Sequence, residues 1–389
     1  MGAAAFRPQT AGEVRDAVAH ALADGTVLEV RGGGSKASIC NPDRATTLLD
    51  LSALNRVVDY DPPELVLTVG AGMRLDTVES MLAERGQMLA FEPFDHGPLF
   101  GRPARAATIG GIVAAGVSGS RRVSAGAARD HLLGFEAVSG RAEAFVGGAR
   151  VVKNVTGYDL PKIMTGSWGR LAVLTTVTLK VLPRPPESLT LMLRGLDDRR
   201  AVLAMARAMG SPASVAAAAH LPDDAGDAAT ALRLEGYGPS MAPRASMLSS
   251  ALRDFGPVDA LDPAQADALW RGVRHAEPLA GEPVLWRVNT APSKGPAVYE
   301  ALASFAVRRL YDWAGGLVWL GMGVGADPAA VRLAAAAAGG HAILVRAPKA
   351  LRATTPALHP GTPAVERLSD RVKAAFDPAG ILDPERFRA

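Results

Sequence analysis

Three consecutive glycines, Gly32, Gly33 and Gly34, follow the short apolar stretch Thr26 to Val30 and Arg31, and lead into Ser35 and Lys36. Without Cβ atoms, successive backbone N–H groups can turn inward and form a concave nest for an anion. Arg31 and Ser35 can add donors to such a nest. The spacing also fits G-x-G-x-x-A, but that fingerprint needs a helix to open directly after the loop. Here Cys40, Asn41, Pro42 and Asp43 follow, and the proline removes a donor and restricts its predecessor. The Rossmann reading is therefore rejected, and the triphosphate loop G-x-x-x-x-G-K-[ST] is absent. An ordinary glycine-rich turn is the competing reading of this loop taken alone.

A second stretch, ATIGGIVAAGVSGSRRVSAGAARD, runs from Ala107 to Asp130. Thr108 can cap a short helix whose first turn contains Gly110 and Gly111, leaving bare N–H groups and a positive dipole end toward an anion. Two phosphate-type elements about 75 residues apart suggest a diphosphate held from two sides. An extended dinucleotide fits that better than a monophosphate.

The elements that must position these loops are legible from periodicity. Thr10 and Glu13 form a capping box, Val14, Ala17, Val18, Ala21 and Leu22 mark one helical face, and Gly25 stops the helix. Thr26 to Val30 and Glu64 to Gly72 read as strands, and Leu75, Val78 and Leu82 mark a second helix ending at Gly86. Leu132 to Gly140 reads as a further strand. The clearest strand is LAVLTTVTLKVLP, in which Val173, Thr175, Val177, Leu179 and Val181 alternate. Prolines 183, 185 and 186 then mark a domain boundary. From Ser188 to Pro348 strand-like and helix-like pieces alternate: SLTLMLRG, TALRLEGY, PVLWRVNT, GLVWLGMGV and HAILVRAP as strands, with AVYEALASFAVRRLYDWAGG as the best helix. This predicts a smaller α+β domain whose sheet is covered by helices. A last helix is expected over Ala364 to Phe376.

Length and composition fit that division. The chain has 389 residues, 48% hydrophobic, with a net charge of +3 and one cysteine, Cys40. A single cysteine excludes an internal disulfide framework and a cysteine-ligated iron–sulfur cluster within this chain. Basic residues are dispersed, so no nucleic-acid partner is expected, although a basic site for an anionic ligand stays open. No apolar run is long enough for a membrane span, and no signal-peptide pattern opens the chain. The expected location is cytoplasmic, with any membrane association supplied by partners.

The segments RGGGSK, ATIGGIVAAGVSG, AGAARDHLLGFEAVSG, KNVTGYDLPKIMTGSWGRLAVLTTVTLKVLP and FDPAGILDPERF together resemble the vanillyl-alcohol-oxidase/p-cresol-methylhydroxylase-type (PCMH-type) FAD-binding family. VVKNVTGYDLPKIMTGSWG and GGHAILVRAP are closest to the FAD-binding E subunits of bacterial glycolate oxidases, a resemblance that covers essentially the whole chain. It implies an α+β fold: a two-subdomain PCMH-type FAD-binding domain over residues 1–185, a smaller α+β cap domain over 186–350, and a C-terminal segment, 351–389, returning to the FAD domain. It implies FAD, bound non-covalently because Gly33-Gly34-Ser35-Lys36 carries no histidine for attachment. Its partners would be a D-type flavoprotein subunit and an iron–sulfur subunit, acting on a small 2-hydroxy acid such as glycolate.

The resemblance also assigns site residues. Arg31, Gly32, Gly33, Gly34, Ser35 and Lys36 match the first diphosphate loop, and Thr108, Ile109, Gly110 and Gly111 the second. Gly157, Tyr158 and Asp159 match a turn near the flavin, and Gly166, Gly169 and Val173 a stretch packing beside it. Asp130 is expected to have a structural or helix-capping role. Asp383 stands where the family usually carries asparagine, and a carboxylate there would disfavour an anionic reduced flavin.

Oxidation of a 2-hydroxy acid by flavin needs a cation for the carboxylate and a base for the hydroxyl proton, often a histidine aided by a metal. The related D-2-hydroxyacid dehydrogenases carry an H-x-G-D-G-N-x-H-like run for this, and none exists here. The seven histidines, His20, His96, His131, His220, His275, His341 and His359, are scattered, and no metal is expected. Each reads by itself as structural or solvated. Arg287 and Arg346 on predicted cap strands are candidate carboxylate ligands, and Trp286, Trp313 and Trp319 read as core or interface. No catalytic set is assigned. Three readings follow: a FAD-bearing subunit of a glycolate oxidase complex, a self-sufficient dehydrogenase using His341 or His96 with Arg346, or a non-redox scaffold.

Overall fold

The computed structural model describes residues 5–39, 46–149, 158–223 and 226–382. These form two compact units, one from residues 5–118, 126–184 and 360–382, the other from 119–125 and 185–359. The fold mixes helix and sheet in both.

The first unit opens with β1 (Ala5–Phe6), α1 (Ala11–Asp24), β2 (Leu28–Arg31) and β3 (Thr47–Asp50). The strands make a parallel sheet ordered β1-β3-β2. Half of the predicted capping box forms: Glu13 N–H donates to Thr10 Oγ1 at 3.2 Å, whereas the Glu13 carboxylate reaches one residue further back and accepts the Gln9 N–H at 2.9 Å. Gly25 ends the helix at φ 64°, a left-handed value that glycine adopts without a Cβ clash. Next come β4 (Val57–Asp61), β5 (Val66–Gly70), α2 (Leu75–Ala83), β6 (Gln87–Met88) and α3 (Ile109–Ala115). After α4 (Arg122–Ala125), which belongs to the second unit, the chain adds α5 (Ala128–His131), β7 (Leu132–Ser139), β8 (Ala144–Gly148), α6 (Leu160–Met164), β9 (Ala172–Lys180) and β10 (Leu182–Pro183). Antiparallel strands β4-β5-β9-β7-β8 form the second sheet of this unit. Asp130 caps α5, accepting the Ala127 N–H at 2.8 Å.

One core joins these two sheets. Val14, Ala17, Val18 and Ala21 of α1 pack with Leu28, Leu49, Val138, Val173, Ile381 and Leu382. β9 is central, hydrogen-bonded to β5 and β7, and nearly every side chain on both its faces is buried.

The second unit is one eight-stranded antiparallel sheet. Its elements are β11 (Glu187–Arg194), α7 (Asp198–Met209), β12 (Ala217–Leu221), β13 (Ala229–Gly236), α8 (Gly238–Leu252), β14 (Asp259–Ala260), α9 (Pro263–Arg274), β15 (Val284–Asn289), α10 (Gly295–Glu300), β16 (Val307–Asp312), β17 (Leu317–Met322), α11 (Pro328–Ala337), β18 (His341–Arg346) and α12 (Lys349–Thr354). The strand order is β14-β11-β13-β12-β16-β17-β15-β18. All five strands expected here form. One expectation fails: the helix predicted over residues 297–316 stops at Glu300, and Val307–Asp312 becomes β16, paired with β17 and β12. The β-branched and aromatic residues of VRRLYD suit a pleated strand, and sheet pairing overrides the local helical spacing. The alanine run beginning at Ala216 supplies β12, whose small side chains lie fully buried.

Asp198 ties three elements of this unit together. Its carboxylate accepts from Arg309 Nε at 2.7 Å and Tyr311 OH at 2.7 Å, and the buried His220 Nε2 lies 3.6 Å away. Burial alone would raise its pKa, but the nearby His220 and the hydrogen bonds from Arg309 and Tyr311 outweigh it and hold it at about 2.

The last helix, α13 (Pro363–Phe376), leads into a clamp on the first unit. Buried Asp377 accepts the N–H groups of Ile381 (3.1 Å) and Leu382 (2.8 Å) and pairs with Lys373. Lys373 Nζ also donates to the carbonyls of Arg170 (2.7 Å) and Leu382 (2.6 Å). The segment so fixed bridges β2: Leu28 pairs with Leu382, and Leu28 N–H donates to the Ile381 carbonyl at 2.8 Å. Removing the carboxylate leaves a half-buried ammonium and two buried N–H groups without acceptors. Asp377→Ala is expected to destabilise this unit by about 3 kcal/mol, read as a lowered urea midpoint at unchanged m-value.

Candidate cofactor site

The two glycine segments meet. A cleft enclosing about 720 Å³ counted out to bulk solvent is lined by Arg31 through Ala37, Ala106, Thr108, Gly110 and Gly111, with Trp168, Gly169, Ala172 and Leu174 alongside. Its floor is glycine backbone pressed closely on neighbouring segments. A Cβ on Gly33 would overlap the Ala106 carbonyl oxygen, and one on Gly32 would overlap Thr108 Oγ1. A Cβ on Gly110 would come within 2.6 Å of the Ala71 Cβ. These glycines are thus required first for the close approach of two chain segments, and only then for access of a ligand.

The loop leaves its donors available. Among the described residues, no acceptor is found for the N–H groups of Gly32 through Ser35, and Gly34 takes the left-handed φ of 80° that a nest requires. The second element is more committed than its sequence suggests. Ile109 N–H donates to the Met73 carbonyl and Gly110 N–H to the Ala71 carbonyl, both at 2.8 Å. Thr108 Oγ1 takes the Gly111 N–H at a long 3.4 Å, so Gly111 is the first-turn donor best able to turn to a ligand.

Arg31 is not an open cation. Its guanidinium donates to Glu29 at 2.5 and 3.1 Å, and the residue also lines the cleft. The buried cation of the cleft is Lys36, 9% exposed, with Nζ 3.2 Å from Ser35 Oγ. Burial pushes its pKa down to about 8, against the pull of the Asp95 carboxylate. Asp95 also builds the wall: it accepts the N–H groups of Gly97 (2.6 Å), Ala106 (2.7 Å) and Ala107 (2.6 Å), fixing the strip that packs on Gly33. Sequence reasoning passed over Asp95, in EPFDHGPLFG, because a lone aspartate in a loop carries no spacing signal.

The remaining expected residues divide. Gly169 lines the cleft at φ 76°, and Gly166 shares the left-handed region at φ 84° outside it. Val173 is fully buried in the α1 core, whereas its neighbours Ala172 and Leu174 face the cleft, as strand alternation demands. Ile109 is likewise buried beside the cleft rather than in its lining. Tyr158 is 88% exposed, and Asp159 caps α6 by accepting the Lys162 N–H at 3.4 Å; neither lines the cleft. Gly157 and Asp383 lie outside the described residues. Trp168, unforeseen, lines the cleft with a strained φ of 60° and donates its N–H to the Ala114 carbonyl at 2.7 Å.

The histidines do not converge. His96 is buried and stacks on Phe94 with ring centroids 4.8 Å apart, His20 pairs with Asp24 at the surface, and His359 Nδ1 accepts the Ala342 N–H at 3.2 Å. Arg346 donates to the Leu279 and Glu282 carbonyls at 2.8 and 2.7 Å, which makes it a brace. Among the described residues no cluster of three His, Cys, Asp or Glu side chains could hold a metal ion, and no helix is long and apolar enough to cross a membrane.

Residues 2–146 match the FAD binding domain family. The chain is 33% identical to glycolate oxidase subunit GlcE of Escherichia coli (strain K12) over 374 residues, covering 96% of this chain and 95% of that protein. It is 28% identical to glycolate oxidase subunit GlcD of Bacillus subtilis (strain 168) over 162 residues, 41% of this chain and 33% of that one. The p-cresol methylhydroxylase crystal structure with substrate bound superposes with a TM-score of 0.70 at 13% identity, over 97% of this chain and 87% of that one, a likeness of fold.

The cleft fits a dinucleotide diphosphate: a nest of open donors, a close-packed floor and a buried cation. Gly33→Ala is expected to cost about 2 kcal/mol of stability and to leave the purified chain depleted in FAD, measured by absorbance at 450 nm against protein. Lys36 gives a pH signature. Its depressed value means the cofactor-free chain gains stability as pH rises from 8 to 10.5, where folded Lys36 is already neutral and unfolded lysine is not. A diphosphate favours the charged amine, so FAD affinity should be flat below pH 8. Above it, affinity falls by up to about tenfold per unit. Calorimetric titrations in buffers of different ionisation enthalpy should show proton uptake near pH 8.5, abolished in Lys36→Met.

Proposed function

The chain belongs to the FAD-binding family that includes glycolate oxidase subunit GlcE, and from that premise we propose that it is the FAD-bearing subunit of a glycolate oxidase complex. In this reading it holds FAD non-covalently and serves the oxidation of glycolate to glyoxylate together with a GlcD-type flavoprotein and an iron–sulfur subunit. The observation that carries it is the cleft itself, where the open N–H groups of Gly32 to Ser35 and the buried Lys36 surround a space walled by Ala106 and Thr108. When bound, FAD supplies the hydride acceptor. The residues that would hold its diphosphate are Gly32 to Lys36 and Gly111, with Lys36 balancing part of the charge. No described side chain in this cleft offers a covalent histidine linkage, which favours a dissociable cofactor.

Two findings favour dependence on a partner. The self-sufficient reading drew on Arg346, and that guanidinium is spent on the Leu279 and Glu282 carbonyls. His96 is packed against Phe94 inside its loop.

The deciding measurement is the anaerobic visible spectrum of the purified chain before and after glycolate, alone and with its two partner subunits. The expected result is a flavin spectrum whose cofactor is released by acid, bleached by glycolate far faster in the complex than alone. Bleaching of the lone chain at the rate of the complex would sink the partner-dependent reading, and a colourless chain would sink the flavoprotein reading.

A further inference from the structure

Over residues 166–170 the backbone turns left-handed three times: Gly166 at φ 84°, Trp168 at 60° and Gly169 at 76°. Glycine takes such values without a Cβ clash, whereas a bulky aromatic residue there strains its own backbone. Neighbouring segments hold the strip in place. Gly166 N–H donates to the Val113 carbonyl at 3.1 Å and Trp168 N–H to the Ala114 carbonyl at 2.7 Å, while Lys373 Nζ donates to the Arg170 carbonyl at 2.7 Å. Residues kept in a costly conformation cluster at ligand clamps. Trp168 stands at such a place: half-buried, it lines the cleft that the two glycine segments enclose.

That cleft has two chemically different parts. The polar and charged side chains of its lining other than Trp168 are Arg31, Ser35 and Lys36 on the first glycine loop and Thr108 at the cap of α3. Around Trp168 the lining is small or apolar, with Ala114, Ala115, Ala172 and Leu174. Trp168 is tied to Ala114, three residues beyond Gly111 and about 4.5 Å further along the helix axis. The indole therefore stands about one helical turn from the donors that suit a diphosphate.

A flavin dinucleotide brings two flat ring systems to such a cleft. The isoalloxazine hangs on a long ribityl chain and depends on hydrogen bonds at its ring nitrogens for its electronics. Adenine hangs on a shorter ribose and needs only a face, because every base offers a π-surface to an aromatic side chain. A short reach from the diphosphate and an apolar surround both suit adenine.

We propose that Trp168 is the platform on which the adenine ring of FAD stacks, and that it makes the cleft select FAD over FMN, which carries no adenine. This role rests on the reading of the chain as an FAD-bearing subunit, and it gives the strained backbone a purpose: glycine would relax the turn, but only an aromatic side chain supplies the platform.

The test uses the full chain freed of flavin, with ADP, FAD and FMN as separate ligands. ADP does not absorb tryptophan emission, so saturable quenching by ADP reports contact with an indole. Quenching is expected in the wild type and should vanish in Trp168→Phe, which keeps most of the ADP affinity because a phenyl ring still offers a stacking face. In calorimetry Trp168→Gly should weaken ADP and FAD about tenfold and leave FMN unchanged. Its urea midpoint without ligand should stay at or above the wild-type value, since glycine accepts the left-handed turn; a residue that served packing alone would lower it. ADP affinity unchanged in Trp168→Gly overturns the proposal. FMN weakened as much as ADP also overturns it, because the isoalloxazine would then be the stacked ring. A Trp168→Gly chain that binds FAD at full strength removes this role and leaves the function proposed above standing, whereas a wild-type chain that binds no FAD removes both.

Discussion

The close approach of residues 32 and 33 to residues 106 to 108 is the contact on which the cofactor site depends. The backbone at Gly33 meets the Ala106 carbonyl and that at Gly32 meets the Thr108 side chain, so any Cβ at either glycine would occupy the same space as Ala106 or Thr108. That contact is held from behind by Asp95, whose carboxylate takes the N–H groups of Ala106 and Ala107. The nest, the buried amine of Lys36 and the cap of α3 all take their positions from it. A charged aspartate accepting several backbone N–H groups is a strong and directional support, and here it rigidifies a loop poor in regular structure.

Both units use strand alternation to separate core from chemistry. In β9, Val173 joins the core with α1 while Ala172 and Leu174 face the cleft. In β15, Trp286 and Val288 enter the core while Arg287 and Asn289 take the face with Asp312 and His341. A period of two gives each strand one face for the core and leaves the other for different contacts. The helices secure the first face: α1 in the first unit, α10 and α11 in the second. Charges that would be costly in the core are collected instead in Asp198 with Arg309 and Tyr311, where each donor meets an acceptor.

Local signals were enough for much of the fold. The Thr10 cap, the stop at Gly25, the alternation of β9 and all five strands expected in the second unit were readable because each depends on neighbours in sequence. The helix expected across Val307–Asp312 was misread because its residues satisfy a helical spacing locally while β17 and β12 offer them a ladder on either side. Strand β12 was ambiguous for a related reason, since alanine alone carries neither period.

The two glycine segments together suggested an anion site, because missing side chains and bare N–H groups are properties of the residues. Their partners were beyond the sequence. That Arg31 is spent on Glu29, that Gly32 and Gly33 serve packing before binding, and that Asp95 holds the wall are consequences of which distant segments meet. The same holds for Arg287 and Arg346, two similar arginines on neighbouring strands. One braces the Leu279 and Glu282 carbonyls and the other lies against Trp313 with no hydrogen bond among the described residues. Sequence determined which groups were available for binding; only the tertiary structure decided which of them were already satisfied, because hydrogen-bond partners far apart in the chain are brought together by folding alone.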